Sequence, residues 1–388
     1  MMAARTEHVT MPSVEGRRAR SWRASRGAFM KVVFVVPRFH TNLAFAMRAL
    51  IDDAITPTLV VRAPGAPTGL DLPAPVVFAD GASLADARAL LAEKRPDLVV
   101  IRKTPGLGAP FHRAGLIARV PMLAYDLRPW RRPRHWSAMI SGWLRGRPGR
   151  RITPVPGAPG SGPPDPRAFY LPFPVSSAPE EPSRRDGPFR ILFVGKLAQI
   201  RKRPFMLIEA TERLARLGDL RLTMVGSTSL EINAADPDQL ARLRAYAANG
   251  PLGDRFRLIE DAPFDAMPGI YAEHDVCVLP ATNELLGIAP LEAMGRGAAA
   301  VISSDAGSAG YVTIGRAAGF DCGAVFPDGD AAALEAALLP YLRDPEARWR
   351  ARRDAWLWVR QAFSPQGFAA GFRAVAAKVA HSSAPSRP

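Results

Sequence analysis

Two carboxylates eight residues apart, Glu284 and Glu292, are the side chains in this sequence best placed to act on a polar ligand. A short apolar strand, Val276 to Leu279, stops at Pro280, and a polar loop, Ala281 to Glu284, follows it. The pattern then predicts a helix starting near Leu285 or Leu286 and running out at Gly295. That spacing puts Glu284 at the helix mouth and Glu292 more than two turns inside. Gly287 removes a side chain where a ligand would approach the first free backbone amides, those of Gly287 and Ile288. Such amides, with the positive end of a helix, favour an anion. Carboxylates beside that anion would serve to accept hydrogen bonds from hydroxyls. A ligand with phosphates between two polyhydroxyl groups has this form, and a nucleotide-sugar is one. The same spacing equally suits a Glu284 that complements a helix dipole and a Glu292 that is merely solvated.

Cations stand at a matching place. The strand beginning at Phe189 ends in Gly195-Lys196, with Arg201-Lys202-Arg203-Pro204 close behind. A glycine at a strand end followed by positive charge lets the chain turn sharply and project that charge over the sheet edge. Lys196, Arg201 and Lys202 would then face the crevice in front of the Glu284 helix, giving a diphosphate cations on one side and amides on the other. The alternative is a solvated basic turn leading into the next helix. Glu260 and Asp261, and Val225-Gly226-Ser227, end further strands on the same edge. Asp126, after the strand Pro121 to Tyr125, could orient an acceptor hydroxyl or take its proton, or act as a structural cap. His40 and Asn42 lie in the polar loop after the first strand.

Glu284-Leu-Leu-Gly287-Ile288 through Leu291-Glu292-Ala293-Met294 resembles the E-x7-E signature of retaining glycosyltransferases of family 4, which have the GT-B fold. The lead-in Tyr271 to Pro280 and the exit ending at Gly307 are similar too, and the likeness runs over roughly residues 189–376. The resemblance implies a sugar transfer from a nucleotide-diphosphate sugar to a glycan or lipid-linked acceptor, with anomeric configuration retained. It implies that Glu284 holds donor-sugar hydroxyls, that Glu292 holds the ribose, and that Lys196, Lys202 and the amides of Gly287 and Ile288 stabilise the departing diphosphate. Arg201 is a near-equal candidate for the place given to Lys202. Glu260-Asp261 falls where the family often contacts the base, with Glu260 taken as the donor-binding residue. No cofactor or metal is expected beyond the nucleotide-sugar co-substrate. Two departures stand out. Lys196 occupies a slot usually held by Arg, and no His follows the strand that ends at Tyr125, where Asp126 stands instead and His40 is the substitute candidate. These departures keep a second possibility open, a GT-B protein that binds nucleotide-sugars without turning them over.

The elements that must position these residues read as two α/β halves. Strand-like runs at Lys31–Pro37, Thr58–Arg62, Val76–Ala79, Leu98–Ile101 and Pro121–Tyr125 alternate with helical segments, as a parallel sheet covered on both faces requires. A second series starts at Phe189 and continues at Leu220–Val225, Phe256–Ile259, Val276–Leu279 and Ala299–Ile302. The expected division is a basic, disordered extension over 1–29, an acceptor half over 30–175, a linker over 176–188, a donor half over 189–362, and a crossover helix and tail over 363–388.

Composition narrows the alternatives. A chain of 388 residues, 48% hydrophobic and 22% charged, is globular and long enough for two domains. Its apolar runs are too short to cross a bilayer. Two cysteines, Cys277 and Cys322, give neither a metal spacing nor a disulfide framework, so a cytoplasmic setting is expected. The net charge of +15 is concentrated, with six arginines against two glutamates in 1–29 and eight arginines with no acid in 127–151. Trp136, Met139, Ile140, Trp143 and Leu144 share one helical face inside the second of these segments. That pattern suits either an anionic membrane surface contacted through 128–151 or a helix packed on its own domain. Nucleic acid is not an expected partner, because no recognition motif accompanies the charge. The family likeness adds the expectation of a role in polysaccharide or cell-envelope biosynthesis, and the membrane reading of 128–151 would place the protein at the inner face of the plasma membrane.

Overall fold

A computed structural model describes residues 30–37, 41–62, 74–102, 106–127, 136, 137, 140, 148–155, 167–230 and 235–383. Two parallel sheets organise them. The first has the order β3-β2-β1-β4-β5-β6-β7, with β1 Met30–Val36, β2 Ile55–Val61, β3 Val76–Phe78, β4 Leu98–Arg102, β5 Met122–Tyr125, β6 Arg151–Thr153 and β7 Ala168–Tyr170. The second repeats the plan as β10-β9-β8-β11-β12-β13, with β8 Phe189–Lys196, β9 Leu220–Ser227, β10 Phe256–Glu260, β11 Val276–Leu279, β12 Ala299–Ser303 and β13 Gly323–Phe326. The central strands are buried along most of their length, as Val32 to Val36 and Val276 to Leu279 are, because helices cover both faces. In each sheet the order reverses beside the first strand, between β1 and β4 and between β8 and β11. Crevices open at the carboxyl ends of strands at such reversals.

Two strands of the first sheet, β6 and β7, were not expected as such. Three residues are too few to show a period, and they exist because β5 pairs with Arg151 and Ile152. Strand β13 is likewise absent from the runs that the sequence predicts. The basic extension 1–29, His40, the Pro/Gly-rich stretch 156–166 and most of the tryptophan-bearing segment lie outside the described residues.

The last helices tie the halves together. Helix Pro345–Ala362 places Trp358, which donates to the Tyr311 carbonyl at 3.1 Å, and Trp356, which donates to the Ala178 carbonyl at 3.0 Å. Arg352 donates to Gly297 O at 2.8 Å and Ser183 O at 3.0 Å, so the segment between the sheets is strapped down along its length. Helix Pro365–Ser383 then returns to the first sheet, where Phe372 packs on Phe34 with ring centroids 5.9 Å apart. Such a pair contributes about 1 kcal/mol beyond its buried area. Among the described residues no helix is long and apolar enough to cross a membrane.

Candidate functional site

A cavity of about 1040 Å³ lies between the sheets at the carboxyl ends of β8, β9 and β11. Most of its wall comes from the second sheet. Backbone geometry there explains the glycines: a Cβ on Gly226 would overlap the Gly195 carbonyl of the neighbouring strand, so β8 and β9 can pair to their ends only without one. Lys196 closes β8 and faces the cavity.

The helix after β11 begins later than its sequence pattern suggests. It spans Ala289–Met294 rather than starting at Leu285 or Leu286. Gly287 has φ +73, where a Cβ would collide with the Leu279 side chain, and Pro290 sits in the first helical turn. Residues 284–286 are instead held extended by the segment after β12. Glu284 N donates to Asp305 O at 3.2 Å, Gly307 N to Glu284 O at 2.9 Å, and Ser308 N to Leu286 O at 2.8 Å. The Asp305 carboxylate also accepts from Asn283 N at 2.6 Å and from the Thr282 hydroxyl at 3.0 Å. Glu292 is therefore in the first turn of its helix, not more than two turns in. Gly287 and Ile288 precede the first intrahelical bonds, in which Leu291 N and Glu292 N donate to Ile288 O, so the helix itself gives their amides no acceptor.

The two glutamates sit in opposite electrostatic states. Glu284 Oε2 is 2.6 Å from Lys202 Nζ and 2.6 Å from Arg201 Nη1. Burial works to raise its pKa, but Lys202 and Arg201 outweigh it and hold the carboxyl below its ordinary value. Lys202 is itself buried, at 9% exposure, and burial lowers the pKa of its ammonium against the attraction of Glu284. Among the described residues no cation pairs with Glu292. Tyr271 donates to its Oε2 at 2.7 Å, while Oε1 is buried without a hydrogen-bond partner. Burial raises its pKa, and the Tyr271 bond only partly offsets this. A buried carboxylate oxygen with no donor, at the edge of a cavity, is a place for a ligand hydroxyl.

The sequence candidates divide accordingly. Lys196, Arg201, Lys202, Glu284, Gly287, Ile288 and Glu292 all line this one cavity. Glu260 does not. It is exposed and takes both Arg244 nitrogens, at 2.7 and 2.8 Å, while its neighbour Asp261 turns into the cavity and accepts from Thr228. Asp126 follows β5 with its carboxylate 3.9 Å from Arg151, and Leu127 beside it is the residue that lines the cavity. His40 and the Asn42 side chain lie outside the described residues. Three lining residues went unnoticed in the sequence. Arg296, one helical turn after Glu292, donates to the Ser176 hydroxyl at 3.1 Å. Arg102 and Phe45 come from the first sheet's side, and Phe45 meets Phe264 across the cleft with ring centroids 5.9 Å apart. The i+4 spacing from Glu292 could have flagged Arg296, but nothing in the pattern marks Phe45 or Arg102. Among the described residues no three His, Cys, Asp or Glu side chains gather as metal ligands.

Residues 176–356 match the family model described as glycosyl transferases group 1. Among solved structures, the chain is similar to sucrose-phosphate synthase from Thermosynechococcus elongatus, at 15% identity over 91% of this chain and 100% of that one, with a TM-score of 0.66. It is similar to Anabaena HepE in complex with UDP and glucose, at 15% identity over 90% of this chain and 100% of that one, TM-score 0.67. A UDP-forming trehalose-phosphate synthase from Burkholderia xenovorans aligns at 12% identity over 91% and 99% of the two chains, TM-score 0.62. At these identities the likeness establishes the fold, which is GT-B. No curated protein sequence matches the chain.

Proposed function

We propose that this chain is a glycosyltransferase that takes a sugar from a nucleotide-diphosphate donor held on the second sheet and passes it, with retention, to an acceptor entering along the first. The observation that carries this reading is the single cavity in which Lys202 and Lys196, the unassigned amides of Gly287 and Ile288, and the unpartnered Glu292 Oε1 converge. The glycosyl transferases group 1 match over 176–356 covers the part of the chain that supplies these residues.

In this reading the ribose hydroxyls donate to Glu292, supplying the partner that its Oε1 lacks. The diphosphate lies against Gly287 and Ile288 with Lys202 and Lys196 on its other side. When the anomeric C–O bond breaks, its electron pair leaves on the diphosphate, and fixed cations close to that oxygen stabilise the transition state more than the ground state. Glu284, ionised by its two cations, accepts from donor-sugar hydroxyls. It also keeps Lys202 aimed into the cavity. Arg201 secures Glu284 from the far side. The acceptor oxygen forms the new bond to the anomeric carbon from the side of Phe45, Arg102 and Leu127 while its hydroxyl proton passes to the departing diphosphate, with Asp126, beside Leu127, a candidate to orient that hydroxyl. The glutamates do not form a glycosidase pair, which needs an acid and a nucleophile flanking the scissile bond.

The solved relatives complexed with UDP make uridine donors the first to try. A thermal-shift panel of UDP-, GDP- and ADP-sugars should give a concentration-dependent rise in Tm for one base, and Glu292→Ala should abolish it. An equal shift in the variant would remove Glu292 from the site. Release of free nucleotide on adding acceptor extract establishes turnover; saturable binding with no release would instead favour a binding protein.

A further inference from the structure

A second cavity, of about 430 Å³, opens at the other end of the second sheet, where β8, β9 and β10 begin. Arg190, Arg221 and Arg257 are each the second residue of those strands, and Arg185 and Arg255 complete its wall. Arg190 and Arg221 are direct partners in the parallel ladder, so two guanidinium-bearing residues sit one strand spacing apart on the same face. Like charges in that position are destabilising.

The wall holds five arginines against two acids. Among the described residues none of the five arginines comes within ion-pair distance of a carboxylate. Arg185 donates to the Ala272 carbonyl and Arg255 to the Ala215 carbonyl, at 2.5 and 3.4 Å, which fixes their heads without cancelling charge. The lining acids are Asp254 and Glu273, both exposed. The buried carboxylate just inside, Asp275, is already engaged by Arg190 N at 2.9 Å, by Arg352 at 3.6 Å and by Arg348 at 4.0 Å. Arg352 Nη2 is left without a partner in this cluster. His274 is buried with Nδ1 2.6 Å from Ile270 O, and burial lowers its pKa, which disfavours a further positive charge beside the arginines.

We propose that this cavity binds a small, multiply phosphorylated anion at a site separate from the cleft. Guanidinium forks match phosphate oxygens in pairs, and five around one concavity suit a ligand with more than one phosphate. The volume is that of a small-molecule site rather than a macromolecular groove. Six residues of β8 separate Arg190 from Lys196, about 20 Å at the strand rise, so one ligand cannot fill both cavities. The sites are nonetheless joined. Helix Met267–Ala272 carries Tyr271, the hydrogen-bond donor to Glu292, and leads directly into Glu273 and His274. An anion settling on Arg185, which holds the Ala272 carbonyl, acts on the end of that helix.

The test is calorimetric titration of the full chain with inorganic tripolyphosphate. Because the cleft also has cations, the Lys202→Met variant is titrated alongside the wild type. The proposal expects two tripolyphosphate sites per chain in the wild type, of which Lys202→Met weakens one and leaves the other at its wild-type affinity. Adding R221Q and R257Q should weaken that remaining binding about a hundredfold, at about tenfold for each charge-assisted contact removed. Both side chains are exposed, and the melting temperature of each variant confirms folding. R190Q, whose backbone bond to Asp275 is unaffected, gives an independent loss of about tenfold. No binding to Lys202→Met, or unchanged affinity after the arginine substitutions, would overturn the site. Phosphatidylglycerol vesicles form the other arm: capture by vesicles that depends on Arg221 and Arg257, without tripolyphosphate binding, would replace the small anion with a lipid surface and overturn the proposal as stated.

Discussion

The two walls of the cleft differ in kind. The second-sheet wall presents Lys196, Arg201, Lys202, Glu284 and Glu292 on elements tied to one another by hydrogen bonds, and Thr282 N donates to Arg201 O at 2.9 Å to join the two loops. The first-sheet wall presents Phe45, Arg102 and Leu127, one each from a helix, a strand end and a loop. A diphosphate imposes fixed charge and close backbone approach on whatever holds it, whereas an acceptor sugar or lipid imposes mainly shape. Rigid, charged geometry leaves a trace in sequence spacing, and shape assembled from scattered elements does not.

The largest separation between the walls should come from Lys202. Lys202→Met removes a cation that the proposed reading sets beside the departing diphosphate, and on that reading it lowers kcat by about a hundredfold or more, as loss of a transition-state donor does. A comparable loss from Phe45→Ala would erase the distinction between the walls. Next comes stability. Glu284→Gln strands a buried Lys202 without its carboxylate and should cost about 3 kcal/mol in urea unfolding at neutral pH. Because its folded pKa is lowered, the Glu284 contribution is present above the ordinary carboxyl value of 4.5 and is lost as pH falls through the lower folded value.

Glu292 should behave in the opposite sense, which sharpens the contrast within the charged wall itself. Its folded pKa is raised, so ionising it at neutral pH penalises the folded state. The stability it contributes is full below 4.5 and is lost as pH rises through the raised value. Glu292→Gln should therefore melt higher than wild type at pH 7 without ligand, with the difference vanishing toward pH 4, while donor affinity falls about tenfold. A lower Tm at neutral pH would contradict the orphaned Oε1. The smallest effects belong to residues outside the charged wall. Phe45→Ala should raise acceptor KM severalfold and leave the donor Kd within about twofold. Glu260→Gln, breaking only a surface pair with Arg244, should change donor binding by less than that and stability by under about 1 kcal/mol.

How far the sequence could be read follows from the same physics. Strands buried on both faces are continuous apolar runs, so β1, β4, β8 and β11 were visible and with them the two doubly wound halves. The strands β6, β7 and β13 were not, since pairing with neighbours rather than any period defines them. The residues around Glu284 and Lys202 were legible as a constellation through their resemblance to the E-x7-E signature, since their spacing alone suits a solvated helix face and a basic turn equally well. The start of the Ala289–Met294 helix was misplaced. Leu285 and Leu286 have helical character, but hydrogen bonds from Gly307 to Glu284 and from Ser308 to Leu286, 23 and 22 residues apart, hold that stretch extended. Glu260 and Asp261 show the limit most clearly. They are adjacent in the chain, yet the left-handed turn at Asp261, φ 49, sends one to the surface and the other into the cavity.

The account is tested most directly by titrating UDP, GDP and ADP into wild-type protein and Lys202→Met under identical salt. It predicts that one nucleoside diphosphate binds the wild type and that its affinity drops at least about tenfold in the variant, a charge-assisted contact having been removed. Equal affinity in the two proteins would place the diphosphate somewhere other than between Lys202 and the Gly287–Ile288 amides.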